Sequence, residues 1–221
     1  MSKKKLLSLA LVVAMIAILS FSTLAWFNDK DEVKNEFYIA SSEDKTPDEI
    51  FSVDVWENTP EGGADQDGAK YEDILPGDLL QKEVFVENTG YYDQYIRVTV
   101  TISDAEAWIN ALGENFDVTD VFVGFDATKW NHIWNNLYGA TETPDDIIYV
   151  LYYNGIVKKG EEINVFDAIQ IPKSLTREQA AAFGGGFTID VKADAVQTEN
   201  VVPEGTPAED AAWAAFKTVE G

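Results

Sequence analysis

Tyr95-Ile96-Arg97-Val98-Thr99-Val100-Thr101-Ile102-Ser103 is the stretch on which the fold turns. Its branched apolar residues Ile96, Val98, Val100 and Ile102 alternate with Tyr95, Arg97, Thr99 and Thr101. Successive side chains of a strand point to opposite faces, so a period of two marks a strand with one buried face and one solvated face. A second stretch repeats the pattern, with Phe187, Ile189, Val191, Ala193 and Ala195 inside and Thr188, Asp190, Lys192 and Asp194 outside. Shorter strands are predicted at 51–56, 82–87, 121–125, 147–153 and 162–166. Between them Asn88-Thr89-Gly90, Asn154-Gly155 and Lys158-Lys159-Gly160 supply turn chemistry, because Asn and Gly tolerate positive φ. Many short strands without βαβ alternation give an all-β chain, an antiparallel β-sandwich.

Short helices interrupt the strands. Ser103 and Glu106 form a capping-box pattern ahead of 105–112, with Gly113 as a left-handed stop. Thr176 and Gln179 repeat it ahead of 179–182, which Gly184-Gly185-Gly186 ends. Thr206, Pro207 and Glu209 introduce a C-terminal helix over 206–218 whose Trp213 and Phe216 dock on the sandwich. The run 129–136, which holds the single His132, is read as a further short helix, and the Gly- and Asp-rich run 58–73 as a flexible insertion.

Composition narrows the function. The 221 residues carry 16 Lys plus Arg against 39 Asp plus Glu, a net charge of -23, with one His and no Cys. Nucleic acid needs basic residues to displace its counterions, so it is excluded as a partner. Without Cys there is no disulfide, thiolate zinc site, iron–sulfur cluster or Cys nucleophile. One His does not make an H-E-x-x-H zinc site, which uses two imidazoles one turn apart. Phosphate-binding loops, nucleophile elbows and dinucleotide fingerprints are also missing. No enzyme is therefore expected.

The charge is uneven along the chain. Lys3, Lys4 and Lys5 precede an uncharged run from Leu6 to Trp26, and Ser22-Thr23-Leu24-Ala25 offers small residues to a peptidase. This predicts a signal peptide over 1–25, cleaved between Ala25 and Trp26, with signal peptidase a partner during export and membrane contact limited to the uncleaved signal. Loss of the leader removes three cations and no acids, taking the net charge from -23 to -26. The new N-terminal segment, 26–40, alternates Val33, Asn35, Phe37 and Ile39 with Lys34, Glu36 and Tyr38, so it can form a strand. The remainder, 41–221, is expected to be the sandwich domain with its C-terminal helix.

Two motif sets carry a family resemblance. Leu24-Ala25-Trp26-Phe27-Asn28-Asp29, followed by an acidic run ending in Phe37, is similar to the cleavage region of proteins processed by a SipW-type signal peptidase. Leu75-Pro76-Gly77-Asp78, then Val84-Phe85-Val86-Glu87-Asn88-Thr89-Gly90 and Tyr95-Ile96-Arg97-Val98, resembles the early strands of the TasA/camelysin-like family of Gram-positive, clostridial-type exported proteins. Tyr152-Tyr153, Gly160-Glu161, Val165-Phe166, Ile171-Pro172 and the run 187–197 resemble its later part. The resemblance implies a jelly-roll sandwich, secretion to the matrix or cell surface, and polymerisation into biofilm-type fibres by donation of the 26–40 strand to a neighbouring copy. Partners would then be the chain itself and other matrix components. Camelysin-like members have been classed as metallopeptidases, an alternative for which this chain lacks the ligands.

A third alternative is a monomeric surface module that binds calcium or glycan. No cofactor is expected beyond a weak calcium site at Asp65 and Asp67, where Asp65-Gln66-Asp67-Gly68 offers hard oxygen ligands. EF-hand spacing fails there, since the third ligand position falls on Ala69 and the glycine position on Lys70. For glycan, Trp56, Tyr91, Tyr92, Trp108, Trp130 and Trp134 are candidate stacking surfaces, although such residues more often belong to a core.

Overall fold

A computed structural model describes residues 28–32, 52–58, 64–65, 71, 73–113, 116–137, 144–183 and 186–221. Within them the strands are β1 (Asn28–Glu32), β2 (Val53–Asn58), β3 (Ala64–Asp65), β4 (Leu79–Asn88), β5 (Gln94–Ile102), β6 (Phe122–Val123), β7 (Trp130–Asn135), β8 (Ile147–Tyr153), β9 (Glu162–Gln170) and β10 (Ile189–Gln197). The helices are α1 (Ala105–Leu112), α2 (Val118–Val121), α3 (Arg177–Ala182) and α4 (Ala211–Glu220). The strands form two five-stranded sheets, ordered β1-β10-β5-β8-β7 and β3-β2-β4-β9-β6. Every pairing is antiparallel.

One buried core lies between the sheets. From the first come Ile96, Val98, Val100 and Ile102 of β5, Ile147, Tyr149 and Leu151 of β8, and Val191, Ala193 and Ala195 of β10. From the second come Val53 and Val55 of β2, Val84 and Val86 of β4, and Ile163, Val165 and Phe166 of β9. The alternation that predicted β5 and β10 is thus the alternation that fills the core. Phe122 stacks on Phe166 at 4.4 Å between ring centroids and closes one side of it. Among the described residues no helix is long and apolar enough to cross a membrane.

Several local expectations are corrected. Residues 130–135, expected as a helix around His132, form strand β7, which pairs with β8 through a register shift between Asn131 and Trp134. The alternation there was masked by Asn and His among the aromatics, and a sheet edge tolerates that mixture. The N-cap position of helix α1 is Asp104, in the left-handed region (φ 61°) and without a side-chain capping bond, not Ser103, whose Oγ instead accepts from the Thr188 N–H at 2.8 Å. Gly113 does take positive φ (95°), but with extended ψ (164°), so it is not a left-handed helical cap. The Thr176 box does form, Thr176 Oγ1 accepting from Gln179 N at 3.2 Å and Gln179 Oε1 accepting from Thr176 N at 2.9 Å. The C-terminal helix begins later than expected, at Ala211, after a 3-10 turn over Ala208–Asp210.

Helix α4 covers the outer face of the first sheet. Ala212, Ala215 and Phe216 pack against Tyr95 and Val196 in a second, smaller core. Tyr152 meets Phe216 edge-on at 5.8 Å, and the Arg97 guanidinium lies 4.5 Å from the Phe216 ring centre. Arg97 also donates to Asp194 at 2.6 Å and to Glu220 at 2.6 Å, fastening the helix end to β5 and β10. Burial alone would lower the Arg97 pKa, but the hydrogen bonds to Asp194 and Glu220 outweigh it and raise it.

Candidate functional site

The antiparallel strands give the sandwich two unlike ends, roughly 30 Å apart along the nine residues of β5. One end is made of turns: 89–93 between β4 and β5, and 154–161 between β8 and β9. The other carries helices α1 and α3 and the turn 75–78 that leads into β4.

Asn88 builds the turn end. It is fully buried, its Nδ2 donates to the carbonyls of Tyr92 and Val157 at 2.8 Å each, and its Oδ1 accepts from Gly90 N at 3.0 Å. Its backbone N–H donates to Glu161 O and its carbonyl accepts from Gly160 N. One side chain therefore locks both loops together, and the buried amide is satisfied as burial demands. The result is a fixed apolar patch: Tyr91 is 62% exposed, Tyr92 48% and Ile156 45%. Tyr91 and Tyr92 meet edge-on at 5.2 Å, and Lys159 Nζ sits 4.8 Å from the Tyr91 ring centre. Lys158 lies beside it, exposed.

At the helix end, Pro76 and Gly77 occupy a tight turn in which Asp78 N donates to Leu75 O and Leu75 N to Asp78 Oδ2. Gly77 has φ 93°, a region costly for other residues, and an added Cβ would press on Lys173 Cγ at 3.3 Å. Gln170 Nε2 pins the turn by donating to the Gly77 and Asp78 carbonyls. The turn forms one wall of a groove of about 680 Å³, which Trp108, Leu175, Phe183 and Phe187 complete. Trp108 meets both phenylalanines edge-on, at 5.2 and 5.0 Å. Its indole N–H has no hydrogen-bond partner among the described residues. Behind α1 and α3, joined where Gln179 Nε2 donates to Asn110 O at 2.6 Å, lies a second cleft of about 530 Å³. Asp104, Glu106, Asp145 and Asp146 line it. The negative field of this end reaches the core: burial first, then Asp117 and Asp120, raise the Tyr149 pKa.

The other predicted site residues fare unevenly. Ala25, Trp26, Val33, Asn35, Phe37, Ile39 and Asp67 lie outside the described residues. Asp65 falls in β3, opposite Glu57 of β2. Among the described residues no three His, Cys, Asp or Glu side chains are placed so that they could hold one metal ion. The aromatic candidates divide: Trp108 and Trp130 are core, Trp56 stacks on Phe85 at 4.5 Å on the outer face of the second sheet, and Tyr91, Tyr92 and Trp134 are exposed. Ile156 and the helix-end groove were not singled out from the sequence, and Lys158 was read only as turn chemistry. The available signal was Lys158-Lys159, two adjacent cations in a loop of so acidic a chain. No family model, curated protein or solved structure matches the chain.

Proposed function

We propose that this chain is an exported, noncatalytic matrix or cell-surface protein of the TasA/camelysin-like kind, with a jelly-roll sandwich that assembles with copies of itself. The observation that carries the proposal is β1. It follows the predicted cleavage point at Ala25 and Trp26 and forms an edge of the first sheet, paired from Asn28 with Val196 to Glu32 with Lys192 of β10. An edge strand next to a new terminus is the element most easily exchanged, because main-chain hydrogen bonds to β10 are the same from its own copy or a neighbour. Repeated head to tail, such an exchange does not close on itself and yields a fibre. The sequence Asn-Asp-Lys-Asp-Glu of β1 contains no apolar residue, which favours exchange over permanent pairing.

The mature chain, residues 26–221, and a version lacking 26–40 should be compared by size-exclusion chromatography and electron microscopy. Fibres are expected from the first and not from the second. A mature chain that stays monomeric across pH and salt would remove the matrix function. Equal fibres from both would leave assembly standing and remove strand exchange.

A further inference from the structure

We infer that residues 33–39, which lie outside the described residues, prolong β1 along the open edge of β10 and seat Phe37 against Phe187, one wall of the helix-end groove. That edge and that wall are then the acceptor site for the mature N-terminal strand. The inference rests on the strand exchange proposed above only for which copy supplies the strand.

The acceptor is visible in β10. Strand β5 pairs with it along its whole length, from Gln197 back to Ile189, and Ser103 N carries that register on by donating to the Thr188 carbonyl at 3.0 Å. On the other edge β1 stops at Glu32, opposite Lys192, so Ile189, Asp190 and Val191 have no strand beside them there among the described residues. Burial changes along the same face. Val191, Ala193 and Ala195 belong to the buried core, whereas Ile189 and Phe187 are only half-buried. An added strand completes an apolar face of this kind, its main chain bonding to the edge and its alternate side chains filling the face.

The register selects the residues. Continuing the pairs from Asn28 with Val196 to Glu32 with Lys192 sets Val33 opposite Val191, Lys34 opposite Asp190, Asn35 opposite Ile189, Glu36 opposite Thr188 and Phe37 opposite Phe187. Directly opposite residues share a face, so Val33 and Phe37 join Val191 and Phe187 on the inner one. Charge agrees on the outer one. Lys30 is opposite Asp194 and Glu32 opposite Lys192, and Lys34 with Asp190 makes a third pair of opposite sign. Like charges, Lys34 with Lys192 and Glu36 with Asp190, meet only diagonally, at roughly 7–8 Å against about 5 Å for direct neighbours. A slip of one residue would turn Phe37 to water and Lys34 inward, which disfavours the adjacent registers. Chain length permits the path. Ser52, whose carbonyl accepts from Gly90 N at the turn end, comes 13 residues after Ile39. Such a stretch spans up to about 43 Å, more than the roughly 30 Å length of the sandwich.

The chain has no Cys, so an introduced pair reports the register directly. In the mature chain 26–221, Glu36→Cys with Thr188→Cys should lose both free thiols on mild oxidation, since opposite residues lie within disulfide reach. Glu36→Cys with Thr101→Cys should keep them, because Thr101 is on β5, one strand further across the sheet and roughly 10 Å away. A cross-link within one copy, or a ladder of cross-linked copies from fibres on a non-reducing gel, would each support the register and identify which copy fills the site. Thiols lost no faster than in the control would overturn it. The seat is tested without Cys, below the concentration of assembly: Phe37→Ala and Phe187→Ala should each lower the urea midpoint, and together lower it by less than the sum of the two, as for rings in contact. Additive shifts would overturn the seat. A chain that cross-links within one copy but never forms fibres would defeat the matrix function and leave the acceptor site standing.

Discussion

Lys82 in the second sheet and Arg97 in the first are both cations removed from most of their water, but on opposite faces. Lys82 points inward with Val84 and Val86, and its ammonium meets Glu57, whose side chain is 2% exposed. Glu57 pairs with Val84 across β2 and β4, so Lys82 is its diagonal neighbour on the same face. Arg97 points outward from β5, directly opposite Asp194 of β10, and is shielded because α4 lies over it. The difference is in what each pair can fall back on. If α4 moves, Arg97 and Asp194 regain water, whereas Lys82 and Glu57 regain it only if the sandwich opens. Both desolvation costs are offset by pairing, but only the inner pair ties charge neutrality to the fold itself.

The largest effect should therefore come from Lys82→Met. It leaves Glu57 charged and alone in the core, and should cost about 3–5 kcal/mol in urea unfolding. Adding Glu57→Leu should return stability to the parent value or exceed it by about 1–4 kcal/mol, since two apolar side chains then replace two desolvated charges. A single variant costing under about 1 kcal/mol would mean that Glu57 is not held apart from water.

The two pairs also differ in how far the sequence disclosed them. The β5 alternation puts Arg97 on the outer face directly, and the β10 alternation does the same for Asp194, so the register alone brings them together. Burial of that face was half legible: the helix with Phe216 was expected to dock, but its landing site was not specified. In the second sheet the pattern misleads. Trp56 and Phe85 are the largest apolar residues of their strands, yet they stack outside, while Glu57 and Lys82 continue the inward series. A register shift between Gln81 and Val84 against β9 surrounds Lys82, and bulges of this kind re-aim side chains in ways that single-strand periodicity does not report. Likewise the turn chemistry of Asn88 was readable from Asn-Thr-Gly, but its side-chain bond to the Val157 carbonyl, 69 residues further on, needed the fold. The groove gathers residues from four separate segments, and no local pattern marks it.

Arg97→Met should cost less than Lys82→Met, on the order of 2–3 kcal/mol, because Asp194 is already 17% exposed and rehydrates as α4 loosens. Its distinguishing mark is local: amide exchange in Ala211–Glu220 should accelerate, while in Lys82→Met that helix should exchange with the rest of the chain. Uniform acceleration in Arg97→Met would merge the two cases. The smallest effect near neutral pH belongs to Tyr149→Phe, which turns the inner face of the first sheet into a test of the same contrast. Tyr149 is neutral and buried, with no partner for its hydroxyl among the described residues, so losing that oxygen should change stability by under about 1 kcal/mol at pH 8. Burial, then Asp117 and Asp120, raise its folded pKa above the unfolded value of about 10. Its contribution is therefore intact below about pH 10 and is lost as pH climbs toward the folded pKa, the unfolded chain releasing its proton first. Tyr71, Tyr95 and Tyr153 are raised in the same sense, so the parent should weaken from pH 8 to pH 11 and Tyr149→Phe should weaken less. Equal losses in both would show that Tyr149 ionises in the folded chain as readily as in the unfolded one, which requires water at the inner face of the first sheet and would erase the difference between inward and outward charge.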